Sequence, residues 1–166
     1  DLFSVKDGDA ECGGLQQDSC YNLYSIVRDK NPSTVVETGV ANGVSSLVVL
    51  LALEKNGKGN LISIDYPVYL SEKTDELKTQ DTDKVGWKVP ADKNPGWIVT
   101  DDLKRRWELI EGKSVNELPK VVAENDADMF IHDSQHTTTN MIFEFFIMYN
   151  NMESGSTILS DDILSS

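Results

Sequence analysis

The run Thr34-Val35-Val36-Glu37-Thr38-Gly39-Val40-Ala41-Asn42-Gly43, followed by a second apolar run at Leu61-Ile62-Ser63-Ile64-Asp65, decides the fold of this chain. Thr34 to Thr38 is rich in β-branched side chains, which favour a strand. Gly39 to Gly43 reads as a tight turn. Ser45 to Lys55 is apolar enough for a buried helix, and Asn56-Gly57 stops it. Strand, turn, helix and strand in succession are the opening unit of a parallel α/β sheet.

The same alternation continues outward in both directions. Upstream, Ser19 to Asp29 carries Leu23, Ile26 and Val27 on one helical stripe, and Asn31-Pro32 ends it. Residues 1–18, polar with Gly8, Gly13 and Gly14, read as an irregular N-terminal segment. Downstream, Thr100-Asp101-Asp102 opens a short helix with acids in its first turn, and Trp107 to Glu111 is a strand. Ser114-Val115-Asn116-Glu117 fits a capping box for a helix to Glu124. Asp128 to His132 is a strand, Thr138 to Met152 a helix, and Ser156 to Ser160 the last strand. The architecture expected is a Rossmann-like, doubly wound, mostly parallel α/β sheet in order 3-2-1-4-5, with helices on both faces. Tyr66 to Val99 interrupts it with Pro67, Pro90, Pro95, Trp87 and Trp97. This insertion reads either as a disordered surface segment or as a lid or substrate wall. The expected organisation is therefore one core domain over residues 19–166.

Composition agrees with a single globular domain: 166 residues, 39% hydrophobic and 26% charged. No apolar run approaches the ~18–20 residues of a membrane span. The net charge of −13 repels phosphate backbones and anionic lipid, so neither nucleic acid nor membrane is expected as a partner. The acidity serves solubility or, in part, metal binding. Cys12 and Cys20 have no metal-ligand spacing, which makes a reducing compartment, the cytoplasm, the default. A local bridge between them stays open.

In doubly wound sheets ligands bind at the carboxyl ends of the strands. Those ends hold Glu37 with Gly39 to Gly43, then Asp65, then Gly112-Lys113-Ser114, then Asp133-Ser134-Gln135-His136, and last Asp161-Asp162. Glycines let a ligand approach the backbone, and the helix that follows presents free N–H groups. An acid after the second strand can accept from ribose hydroxyls, so an adenosine-containing cofactor is expected. The dinucleotide pattern G-x-G-x-x-G is not met, because its places hold Gly39, Ala41 and Val44. Glu37 suits the ammonium end of an amino acid, or alternatively a structural role at the strand end.

Val35 to Gly43 resembles the first motif of class I S-adenosylmethionine-dependent methyltransferases. Ile62 to Asp65 resembles their ribose-binding strand, Met129 to His136 their fourth motif, and Gly155 to Asp162 the strand after it. The resemblance implies Glu37, Gly39, Ala41 and Gly43 at the methionine end of the cofactor, Asp65 at its ribose, Ser114 near its adenine, and Asp133 beside it. It extends to the metal-dependent O-methyltransferases of sugars and catechols. That implies Mg²⁺ on Asp133, Asp161 and Asp162, with His136 as the base acting beside Asp133 on a small hydroxylated acceptor. Asp133 or Ser134 could instead cap the next helix, and His132 reads as structural. The sheet in that class continues past the fifth strand, whereas this sequence ends at Ser166, an apparent truncation. An NAD-type oxidoreductase, a non-catalytic cofactor-binding module and a homo-oligomer remain open at this point.

Overall fold

A computed structural model describes residues 16–67 and 89–161. Helix α1 (Gln17–Lys30) leads to β1 (Thr34–Thr38), α2 (Val44–Asn56) and β2 (Asn60–Asp65). After the insertion come β3 (Trp107–Glu111), α3 (Ser114–Glu124), β4 (Met129–His132), α4 (Thr138–Asn151) and β5 (Thr157–Ser160). The strands form one sheet in order β3-β2-β1-β4-β5, and every neighbouring pair is parallel. The order and the strand positions agree with the expectation from sequence.

Side chains of a strand alternate between its two faces, and that alternation builds two cores. Val35, Leu61, Met129 and Ile131 pack under α1 and α2, together with Leu23, Val27, Val49, Leu50 and Leu53. Val36, Ile62, Ile64 and Phe130, one residue out of phase, pack under α3 and α4 with Leu118, Val121 and Met148. Helix α2 is apolar on every side from Leu47 to Leu53 and buried or half-buried there; even Ser45 and Ser46 are inside. Asn31 ends α1 in the left-handed conformation and Gly57 does the same for α2.

Three local readings are corrected. Ser114 is the first residue of α3 and not its cap; Lys113 holds the cap position without a side-chain bond. The Ser114 hydroxyl lies instead 3.4 Å from Asn140 Oδ1, and Glu117 pairs with Lys120. Thr100 to Asp102 is a turn, with Lys104 on Asp101 at 2.7 Å, and the helical stretch is a short 3-10 turn over Lys104–Arg106. The cap of α4 is Thr137, whose hydroxyl accepts from the Asn140 N–H, so neither Asp133 nor Ser134 is used for capping. The N-terminal segment falls outside the described residues up to residue 15, as do Cys12 and the insertion from 68 to 88. Cys20 is buried in α1. No helix among the described residues is long and apolar enough to cross a membrane.

One side chain ties the amino ends of the central strands together. Asp128, just before β4, accepts the Ser33 N–H at 2.6 Å and the Thr34 N–H at 2.9 Å on one oxygen. Asp128→Ala should lower stability by about 1–2 kcal/mol, because two backbone donors at the start of β1 lose a charged acceptor in a solvent-exposed setting. Urea denaturation with an unchanged m-value checks this; a midpoint equal to that of the unsubstituted chain would show that the bonds contribute nothing.

Candidate active site

The turn after β1 is wrapped on three sides. Gly39 has φ of 86° and its N–H donates to Ile64 O at 2.9 Å. A side chain there would begin 2.0 Å from the Asp133 carbonyl oxygen, so the peptide after β4 lies directly on this glycine. Gly43, with φ of 93°, faces Gly96, its missing Cβ falling 2.6 Å from the Gly96 Cα. Ala41 also has positive φ, 48°, and its carbonyl accepts the Gly96 N–H at 2.8 Å. The Trp97 indole donates to Asn42 Oδ1 at 2.7 Å. The described end of the insertion, residues 89–99, is therefore docked on the glycine turn.

Asp65 ends β2 beside this turn. Its Oδ1 accepts the Val40 N–H at 3.1 Å, while Oδ2 is buried and has no hydrogen-bond partner among the described residues. Burial pushes its pKa up, the Val40 and Ala41 N–H groups pull it down, and Glu111 and Asp133 add repulsion; the net direction is upward. Tyr66 follows, 59% exposed, with the Lys113 ammonium 5.1 Å from its ring centre.

Glu37 is fully buried. Oε1 accepts from Ser45, and Oε2 accepts from Ser46 and Ser63, each at 2.6 Å. Both oxygens are thus committed to the first turn of α2 and to β2, which is the structural role left open by the sequence. Any effect on a cofactor ammonium would pass through the α2 turn or act as a field rather than a contact.

The ends of β4 and β5 bring Asp133, His136 and Asp161 together. His132 is in register with Ser160, so the acids that follow each strand are neighbours. His136 Nε2 lies 3.7 Å from Asp133 Oδ1. Burial raises the Asp133 pKa, the His136 contact lowers it, and Asp161 raises it again; the net direction is upward. Asp162 lies outside the described residues. Among the described residues no three acidic, His or Cys side chains cluster as a metal site.

A residue that sequence reasoning passed over stands at the centre of this end of the sheet. Glu144 of α4 is fully buried. It accepts from Thr38 at 2.6 Å, Ser134 at 2.8 Å and Asn140 at 2.9 Å, and His132 Nδ1 lies 2.7 Å away. Burial opposes its ionisation, but the His132, Ser114 and Thr38 donors outweigh burial and hold its pKa below the usual carboxylate value. An ionised carboxylate only accepts, so His132 carries its proton on Nδ1. Its Nε2 is buried without a partner among the described residues. The signal in the sequence was a lone acid four residues after Asn140 and four before Met148, on the inward stripe of an otherwise apolar helix.

The Glu37 environment has a pH consequence. Burial raises its pKa from 4.5 to about 7, against the pull of three serine hydroxyls. The folded chain therefore holds a proton that the unfolded chain has already lost, so stability falls as pH rises from 4.5 towards about 7 and levels off above. Glu37→Gln should remove that slope, shifting the stability difference in favour of the variant by on the order of 3 kcal/mol across the window. Denaturant midpoints at several pH values check this, and parallel curves for the two proteins would contradict it.

Residues 36–163 match the methyltransferase-domain family. A comparison with curated protein sequences finds no match. Among solved structures, the SAH-bound methyltransferase PaMTH1 of Podospora anserina superposes with a TM-score of 0.62 at 16% identity, covering 94% of this chain and 56% of that one. The O-methyltransferase TomG of Streptomyces achromogenes, solved with SAM, gives 0.65 at 15% identity over 92% of this chain and 58% of that one. A Bacillus cereus O-methyltransferase in complex with SAH gives 0.63 at 15% identity over 92% and 60%. The chain thus spans somewhat over half the length of these three proteins, and the likeness at such identity is one of fold. The family match sets aside the NAD-type oxidoreductase reading. With a five-stranded parallel sheet in the methyltransferase order and a family match over residues 36–163, the chain belongs to the methyltransferase-domain family, of the class I, S-adenosylmethionine-dependent type.

Proposed function

We propose that this chain is the cofactor-binding core of an S-adenosylmethionine-dependent O-methyltransferase that acts on a small hydroxylated acceptor such as a sugar or catechol. The observation that carries the reading is Asp65. One of its oxygens orders the glycine turn, and the other is buried with no donor of its own among the described residues. A buried, unpartnered carboxylate oxygen is costly, and a ribose hydroxyl would satisfy it. Gly39, Ala41 and Gly43 are the candidates beside the methionine end, on a turn whose positive φ angles hold its backbone in one shape, and Ser114 is the candidate beside the adenine. Helix α2 starts without a side-chain cap, so its first N–H groups are available to the cofactor carboxylate.

The cofactor, when bound, supplies the methyl group. Asp133 and His136 form the acid–imidazole pair at the acceptor side, with His136 taking the hydroxyl proton and Asp133 orienting the ring. Asp133 and Asp161 are the described part of the proposed Mg²⁺ site, which Asp162 would complete. The mutual repulsion of the two described acids supports a cation there. Magnesium would supply the charge that stabilises the acceptor oxygen as its proton leaves. A cytoplasmic location belongs to the same reading.

Isothermal titration is the direct test. S-adenosylmethionine should bind and NAD should not. Asp65→Ala should weaken S-adenosylmethionine more than tenfold, since hydrogen bonds to a charged acceptor contribute about 1.5–3 kcal/mol each; unchanged affinity would move the ribose elsewhere. With 3,4-dihydroxybenzoate as a probe acceptor, EDTA should abolish methyl transfer, and His136→Ala should lower kcat by about a hundredfold between pH 6 and 8. Transfer that survives EDTA would remove the metal, and full activity in the His136 variant would remove the base.

A further inference from the structure

Helix α4 packs Phe145, Ile147 and Met148 on the core, yet it buries a carboxylate among them. It exposes Ile142, Phe146 and Tyr149, each more than 60% accessible, and buries Asn140 and Glu144 with Met148. Placing a carboxylate inside and aromatics outside is unfavourable on both counts, so the buried acid needs a reason. Its partners supply one. Oε2 accepts from Thr38, the residue before Gly39, and Oε1 accepts from Ser134, the residue after Asp133. These two residues flank the point where the Asp133–Ser134 peptide crosses Gly39 with no room for a side chain. The Asp133 N–H also donates to Thr38 O at 2.9 Å, so the crossing is held by backbone as well. Asn140 reinforces the loop side, its amide nitrogen lying 3.0 Å from Ser134 Oγ and 3.1 Å from Gln135 O.

We propose that Glu144 is a positioning residue for the cofactor site: by binding Thr38 with one oxygen and Ser134 with the other, it sets the glycine turn after β1 against the Asp133–His136 loop after β4. The inference rests on the cofactor reading above and assigns a role to a residue that does not touch the cofactor. A hydrogen bond between two loops transmits position only if both ends are held. The carboxylate meets that condition, because its donors are buried or half-buried and come from β1, α3, β4, the loop and α4 itself. A merely structural Glu144 would affect how much protein is folded, but not how well the folded protein binds.

The test uses S-adenosylhomocysteine, which needs no acceptor, titrated calorimetrically into the unsubstituted chain, Glu144→Gln, Ser134→Ala and Val121→Ala, all at a temperature where circular dichroism shows them folded. Val121 is a core-facing residue of α3 and controls for lost stability. Kd should rise about tenfold in Glu144→Gln and in Ser134→Ala, the size expected for one lost hydrogen bond to a charged group. Val121→Ala should lower the Tm and leave Kd alone. The amide resonances of Gly39 and Ser134 should shift in the Glu144 variant and stay in place in the Val121 variant. Affinities equal to that of the unsubstituted chain in both site variants would overturn the inference and leave the cofactor reading standing. If the unsubstituted chain itself does not bind S-adenosylhomocysteine, the cofactor reading fails and the inference with it. Should Glu144→Gln not fold, Ser134→Ala decides, since it removes the hydroxyl that Glu144 and Asn140 share on the loop and leaves the carboxylate in place.

Discussion

The Asp133–Ser134 peptide and Gly39 touch so closely that a single Cβ between them would sit 2.0 Å from a carbonyl oxygen. Everything at this end of the molecule follows from that contact. It forces glycine at the start of the turn, and it brings the end of β4 into contact with the end of β1 where the sheet changes winding direction. It also places the acid–imidazole pair of Asp133 and His136 beside the turn that is proposed to hold the cofactor. A doubly wound sheet always opens a crevice at its switch point. Here the crevice is given a fixed geometry by backbone crowding and by one buried carboxylate.

The second constraint is charge. Glu37, Asp65, Asp133 and Asp161 all gather at the carboxyl edge, and Glu111 stands next to Asp65 in register. For Glu37, Asp65 and Asp133 burial is the largest influence and drives the pKa upward; their mutual repulsion adds to it. Such an edge is poorly suited to a phosphate-rich ligand and well suited to a cationic one. S-adenosylmethionine carries positive charge on its sulfonium and ammonium groups, so the electrostatics of the edge agree with the family to which the chain belongs. The two buried acids, Glu37 and Glu144, differ in direction. Glu37 accepts from serine hydroxyls, faces the charge of Asp133 and is raised by burial, whereas Glu144 has an imidazole N–H among its donors and is lowered.

The insertion also acquires a physical meaning at its described end. Gly96, Trp97 and Ile98 bond to Ala41 and Asn42, two of the three residues that lie between the glycines of the turn. The turn is therefore held by the β4 loop on one side and by residues 96–98 on the other. Trp97, 37% exposed, is anchored by its indole N–H and has the Lys93 ammonium 5.6 Å from its ring centre, which accounts for a large aromatic left partly in water.

The strands and helices were legible in the sequence because they depend on local periodicity, and the strand order because right-handed crossovers leave few ways to arrange alternating strands and helices. Val35 and Val36, or Ile62 and Leu61, point to opposite faces whatever else the chain does, and Asn31 and Gly57 stop helices by their own backbone preferences. The strand-end acids were legible too, since topology alone brings Asp65, Asp133 and Asp161 to one edge. What a carboxylate does once it is there depends on partners distant in sequence, and no local pattern encodes them. By sequence Glu37 suits either a ligand ammonium or a structural role at the strand end, and only the fold brings serines of α2 and β2 to its oxygens. Ser114 was read as a cap, yet it faces Asn140 on another helix. Glu144 drew no attention in a run of Phe and Met, yet it joins Thr38, more than a hundred residues away, to the loop that carries the acid–imidazole pair. Periodicity determined the frame of this protein, and only the tertiary structure decided which of its buried charges face one another, because hydrogen bonds form between atoms near in space and not between residues near in sequence.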